Sequence, residues 1–162
     1  MEDKPKVRTC LWFDGGGEEA AEFYVSLLPG SFIESKSFPA PDEPALVTEF
    51  TLAGAPYMTL NGGPNFEHSP AASISVLTAD QAETDRLWDA LLEGGGEAGH
   101  CGWLADRYGV HWQIVPEALP RMLGADDPHA AGRARDAMLT MARIDIAAVE
   151  AAFDNPPQRT AQ

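Results

Sequence analysis

The chain has 162 residues, 25 of them acidic and 11 basic, giving a formal charge of −14 at pH 7, and 44% are hydrophobic. So few Lys and Arg exclude nucleic acid as a partner, because that binding draws most of its affinity from cations that neutralise phosphates. No stretch approaches the ~20 apolar residues that a bilayer span requires, and two cysteines without a CxxC spacing or a preceding signal segment point to a reducing cytoplasm.

Residues 1–6 are charged and contain Pro5, so a frayed terminus is expected before a first strand at residues 7–13. Asp14 and three glycines form a turn. Glu18 and Glu19 then stand where negative charge complements a helix N-terminus, and Ala20, Phe23, Tyr24, Leu27 and Leu28 supply the apolar stripe. Pro29-Gly30 ends that helix. Strands follow at residues 32–38, 46–53 and 57–61, separated by a loop at 39–44 and a tight Gly54-Ala55-Pro56 turn. The order is β-α-β-β-β. Glu49 is a strand carboxylate whose direction the pattern leaves open.

The loop at residues 62–70 is rich in Gly and Pro and reads as a hinge. The pattern then restarts: Phe23-Tyr24-x-x-Leu27-Leu28-x-Gly30 returns as Leu87-Trp88-x-x-Leu91-Leu92-x-Gly94, so one structural unit is written twice. Residues 73–77 alternate small polar and apolar side chains. Thr78 and Gln81 have the spacing of a capping box for a helix reaching Glu93, which Gly94-Gly95-Gly96 breaks. Strands at 102–107 and 110–115 meet in a hairpin at Tyr108-Gly109, and a short earlier strand closes at Cys101. Trp103 and Trp112 are expected to pair across the hairpin strands.

Beyond residue 117 the chain is alanine-rich. Asp127 is a helix N-cap with Pro128 at the first position, and Met138, Leu139 and Met141 form an apolar edge. A last helix begins near Asp145 and aligns Ile146, Val149 and Phe153. The expected fold is α+β: two βαβββ modules, residues 7–61 and 71–116, form a paired core over 7–116. A helical extension at 117–154 and a disordered tail at 155–162 complete the chain.

Several segments carry a resemblance: Leu11-Trp12-Phe13-Asp14, Glu18-Glu19-Ala20, Phe23-Tyr24, Met58-Thr59-Leu60-Asn61-Gly62-Gly63-Pro64, Cys101-Gly102-Trp103-Leu104 and Tyr108-Gly109-Val110-His111-Trp112-Gln113-Ile114-Val115-Pro116. Together they resemble the vicinal-oxygen-chelate, or glyoxalase/bleomycin-resistance, superfamily. Within it they are similar to the 3-demethylubiquinone-9 3-methyltransferase-like, or PhnB-like, subfamily, over residues 6–153. The resemblance implies a groove shared by the two modules. In metal-dependent members it also implies His and Glu ligands from equivalent strands of both modules. The corresponding places here are Val7, Met58, Ala71 and Gln113: two hydrocarbons, a thioether and a neutral amide, none suited to a divalent ion. His68, His100, His111 and His129 show no metal-binding spacing. No metal and no cofactor are expected. The methyltransferase label also lacks a matching cofactor site, since Gly15-Gly16-Gly17 reads as a plain turn into a helix.

Strand alternation sets the groove lining. With Gln113 inward, His111 and Val115 follow it; Ser73 and Ser75 share a face with Ala71, while Ile74 and Val76 turn toward the helix. The first module is expected to supply Thr9, Leu11 and Phe13 together with Met58 and Leu60. Such a mixed lining suits a small, partly polar organic ligand. No catalytic residue is assigned: His111 has no carboxylate nearby in sequence to orient it, and Ser73 and Ser75 lack a nucleophile elbow. The resulting expectation is a homodimeric small-molecule binder without a metal, and whether it is an enzyme stays open. Two alternatives stand beside it. One is a metal-dependent or His111-centred enzyme of glyoxalase or dioxygenase type, and the other an antibiotic-sequestering resistance protein whose acidic surface attracts a cationic drug.

Overall fold

The structure is a computed structural model and describes residues 5–155. The chain divides into two compact units, the first ending at His68 and the second beginning at Ser69. In the first, β1 (Thr9–Phe13), α1 (Gly17–Leu27), β2 (Phe32–Ser37), β3 (Val47–Leu52) and β4 (Ala55–Asn61) follow one another. The sheet order is β1-β4-β3-β2, with β1 parallel to β4 and the other pairs antiparallel. The second unit repeats this plan with β5 (Ile74–Thr78), α2 (Gln81–Leu92), β6 (Glu97–Ala98), β7 (Trp103–Ala105) and β8 (His111–Pro116), in the order β5-β8-β7-β6. Again only the first and last strands are parallel. The duplicated sequence is a duplicated topology.

In the first unit α1 buries Ala20, Ala21, Tyr24 and Leu27 against Leu11, Phe13, Phe50 and Leu52 of the sheet. Tyr24 and Phe50 are fully buried, and full burial of a large apolar side chain is worth about 2 kcal/mol. The glycine run before the helix is held by the sheet. Asn61 Oδ1 accepts the Gly17 N–H at 2.9 Å while Asn61 Nδ2 donates to the Ala45 carbonyl at 2.8 Å. The β3–β4 turn falls earlier than expected: Ala53 and Gly54 take the left-handed conformation (φ 47° and 86°), so β4 already begins at Ala55. Pro56 therefore lies in the strand, opposite Thr51 and one residue short of the β1 ladder, which starts at Tyr57.

The second unit corrects three local expectations. The α2 cap is Asp80, whose side chain accepts the Glu83 N–H at 2.8 Å, while Glu83 Oε2 accepts the Ala79 N–H at 2.8 Å. Thr78 is instead buried in the strand, 2.7 Å from the Thr84 hydroxyl. The short strand is β6, and Cys101 occupies a left-handed turn (φ 56°) with its N–H on the Met141 carbonyl at 2.8 Å. Trp103 pairs with Gln113 and Trp112 with Leu104, so the two indoles lie on opposite faces of the sheet.

The C-terminal helices belong to this unit: α3 (Ala118–Leu123), α4 (Pro128–Met138) and α5 (Ile146–Asp154). Asp127 caps α4 through the N–H groups of His129 and Ala130, with Pro128 in the first turn, and Asp145 caps α5. Leu119, Ala134, Ile144 and Val149 form their core, with Val115, Met138, Met141 and Phe153 packed against it. Gln81 of α2 anchors the start of α5: its Nε2 donates to the Ile144 carbonyl at 3.1 Å and its Oε1 accepts the Ile146 N–H at 2.9 Å. Apart from Asn155, the expected disordered tail lies outside the described residues.

Candidate functional site on the open sheet faces

The sheet of the first unit packs one face against α1 and turns the other away from it; in the second, α2 covers one face and the C-terminal helices pack against Val115 at the end of β8, so the open surface there lies around His111 and Gln113. In the first unit, parallel pairing sets Cys10 beside Met58 and Trp12 beside Leu60. Thr9, Leu11 and Phe13 pair instead with Tyr57, Thr59 and Asn61, on the side that meets α1, where Leu11 and Phe13 are buried. The expectation that Thr9, Leu11 and Phe13 share a face with Met58 and Leu60 is thus corrected. Cys10 and Trp12 take their place.

Trp12 is itself partly roofed. Its indole N–H donates to the Gly63 carbonyl at 2.8 Å and its ring meets Phe66 edge-on at 5.0 Å. At the other end of β1 stands Arg8, a residue the sequence reading passed over, whose side chain is 8% exposed. It donates from Nη1 to Glu34 Oε1 (3.0 Å) and to the Tyr57 carbonyl (3.2 Å), from Nη2 to Glu34 Oε2, and its Nε lies 3.6 Å from Glu49 Oε1. Ser35 and Thr51 complete the network with hydroxyl donations of 2.7 Å to Glu49 and Glu34. The bond from Glu34 raises the Arg8 pKa, so the guanidinium is permanently charged and internally matched. Burial pushes the Cys10 thiol up, which keeps it protonated and a poor nucleophile at neutral pH. What this face offers is mainly hydrocarbon and sulfur.

In the second unit Ser75, His111 and Gln113 lie on the side of the sheet away from the buried Ile74, Trp112 and Ile114, and Ser73 stands just before β5. Ser75 and Gln113 are paired neighbours, Trp103 flanks Gln113 on the other side, and His111 stands opposite Ala105. Ile74, Leu104, Trp112 and Ile114 are buried on the reverse side. Gln113 Nε2 donates to Ser73 Oγ at 2.8 Å. This bond fixes the serine as acceptor toward the amide, so its own proton and the Gln113 carbonyl oxygen form a neutral donor and acceptor side by side. Along the same face, Pro70, Glu97, Gly99, His100, Trp103 and His111 border an open pocket of about 360 Å³.

The metal-ligand places of the resembling superfamily do not fit a metal here. Val7 is a hydrocarbon 76% exposed, Ala71 a methyl group and Met58 a thioether, while the Gln113 amide is engaged with Ser73. Among the described residues, no group of three or more His, Cys, Asp or Glu side chains could hold a metal ion.

Residues 5–115 match the family described as 3-demethylubiquinone-9 3-methyltransferase. The chain belongs to that family. This 3-demethylubiquinone-9 3-methyltransferase family member is similar to a solved structure titled a putative 3-demethylubiquinone-9 3-methyltransferase, PhnB protein, from Bacillus cereus. The two are 32% identical, with 69% of this chain and 99% of that one covered and a TM-score of 0.63. Protein PA1353 from Pseudomonas aeruginosa is 23% identical over 70% and 98% of the chains, with a TM-score of 0.57. The fosfomycin resistance protein FosX from Listeria monocytogenes, 12% identical over 76% and 99%, shares the fold at a TM-score of 0.54. No curated protein matches the chain. The family member therefore has the vicinal-oxygen-chelate type of fold, α+β with C-terminal helices. None of its helices, among the described residues, is long and apolar enough to cross a membrane.

Proposed function

We propose that this protein binds a small, partly polar organic molecule on the open face of its second sheet, without a catalytic metal. The observation that carries the reading is the Gln113–Ser73 pair, which sets neutral hydrogen-bonding groups where a metal-dependent member would need ionisable ligands. Ser75 and Trp103 on either side of Gln113 add a hydroxyl and an aromatic surface, the mixture that small-molecule sites use. The family name is then a label, not a description of the chemistry. In support of this, the glycine run before α1 has its Gly17 N–H taken by Asn61, so this helix start is not shaped for a nucleotide-like donor.

Ligand-observed NMR against a metabolite mixture, on protein treated with a chelator, tests the reading. Binding that survives chelation and that Gln113→Leu weakens at least tenfold supports it. Retention of a transition metal near one per chain after purification, with binding lost on its removal, would sink it. The same proposal includes a homodimer in a reducing compartment, in keeping with free thiols at Cys10 and Cys101 and with exposed apolar side chains at Phe32 and Leu77. Sedimentation analysis decides the dimer, and fractionation of cells the compartment.

A further inference from the structure

The pocket along the second sheet has a lining of unusual chemistry. Trp103 and Pro70 supply ring surfaces, His100 and His111 two imidazoles, and Glu97 a carboxylate, while no Lys or Arg borders it. Its geometry is held by backbone. The Trp103 carbonyl accepts the Gly99 N–H at 2.8 Å, and a Cβ at Gly99 would come within 2.9 Å of that oxygen, so no side chain can intrude from this position. Pairing of Trp103 with Gln113 keeps the indole on the open face.

We propose that this pocket receives the head of a methylated organic ammonium ion. The negative face of an aromatic ring attracts cations, and among side chains indole does so best. Glu97 adds a formal negative charge at the rim, and an overall charge of −14 disfavours anions in the same place. A primary ammonium carries three N–H donors that each require an acceptor, and stripping it of water is costly. A methylated head has few or none, so the Trp103 ring face and the Glu97 carboxylate accommodate it without recruiting the His100 or His111 imidazole as an acceptor. The inference rests on reading this face as a ligand surface, and it names the ligand class.

Choline is the probe, compared with its neutral carbon isostere, in which a tert-butyl group replaces trimethylammonium. Nitrogen-edited NMR follows the Trp103 indole N–H, assigned by its loss in Trp103→Phe. The expected result is a saturable shift with choline and roughly tenfold weaker binding of the isostere. Trp103→Leu should weaken choline by about tenfold, and Glu97→Gln, at an exposed position, severalfold. Absence of a saturable shift with choline, or equal binding of the isostere, overturns the inference. If choline fails while another compound still binds in a Gln113-dependent way, the cation alone is rejected; if nothing binds this face, both readings fall.

Discussion

The indole of Trp12 fills the space that a side chain at Gly62 would need: a Cβ there would stand 2.3 Å from the ring. The loop that leaves β4 is pinned at this point, since the Gly62 N–H also donates to the Phe13 carbonyl at 2.9 Å. Gly62→Ala must displace either ring or loop, and a destabilisation of about 2 kcal/mol is expected. Gly15→Ala, where nothing lies within 4 Å, should fall within about 0.5 kcal/mol of the parent. Urea denaturation of both variants checks the contrast, and equal midpoints would refute it.

Asp106 organises the last hairpin from a buried position. Its Oδ2 accepts the Trp112 indole N–H at 2.9 Å, and its Oδ1 accepts the N–H groups of Tyr108 (2.8 Å) and Val110 (3.0 Å). Asp106→Ala leaves these donors without that acceptor, and a loss of about 3 kcal/mol is expected. Asp106→Asn retains part of the acceptor set and should cost less. Thermal unfolding of the two variants measures the order, and a milder effect for alanine would contradict it.

Glu18 is held below its usual value near 4.5 chiefly by the hydrogen bond from Lys36, 2.6 Å away. A carboxylate depressed in the folded state contributes stability that is fully present above its ordinary range and is lost as pH falls through the folded value. Lys36 runs the other way: raised by Glu18 and Glu22, it contributes below its ordinary value near 10.5 and loses that contribution as pH climbs through the folded value. Glu18→Gln should cost ~0.5 kcal/mol at neutral pH and flatten the acid limb of the stability profile. Superimposable acid limbs for parent and variant would disprove the assignment.

The cap of α2 provides a discriminating pair. Asp80→Ala removes the acceptor of the Glu83 N–H and should cost about 1 kcal/mol. Thr78→Val leaves that cap intact and removes a hydroxyl contact to Thr84, whose own hydroxyl keeps the Asp80 carbonyl as a partner at 2.8 Å. Helical circular dichroism should therefore soften on heating in the first variant before the second. Identical behaviour would return the cap to Thr78.

The topology was legible because the repeated Leu-Leu-x-Gly helix ends and the glycine stops are local signals. Face assignment was legible only where the strand alternates. Over residues 73–76 Ser alternates with Ile or Val, so Ser73 and Ser75 separate from Ile74 without any knowledge of partners. The β1 segment Thr9–Phe13 is nearly all apolar, so its parity is set by the register with β4, which no local pattern discloses. The role of Arg8 is hidden from the sequence for the same reason. Its partners Glu34 and Glu49 lie on other strands, and a register shift between Ile33 and Ser35 alters the strand that carries Glu34. Trp103 and Trp112 fall on opposite faces because the turn runs from Asp106 to Val110, with Gly109 left-handed and Asp106 hydrogen-bonded to Tyr108 and Val110, a register that no local pattern discloses.

The ion-paired Arg8 on one sheet and the neutral Gln113 on the other have a further consequence. The two copies of the motif differ here: in the first, Arg8 bonds to Glu34 and lies beside Glu49, whereas in the second the neutral Gln113 is paired with Ser73. A substitution at Gln113 therefore changes what the second sheet presents without touching any partner of Arg8, so that surface can vary while the ion-pair network of the first sheet stays whole.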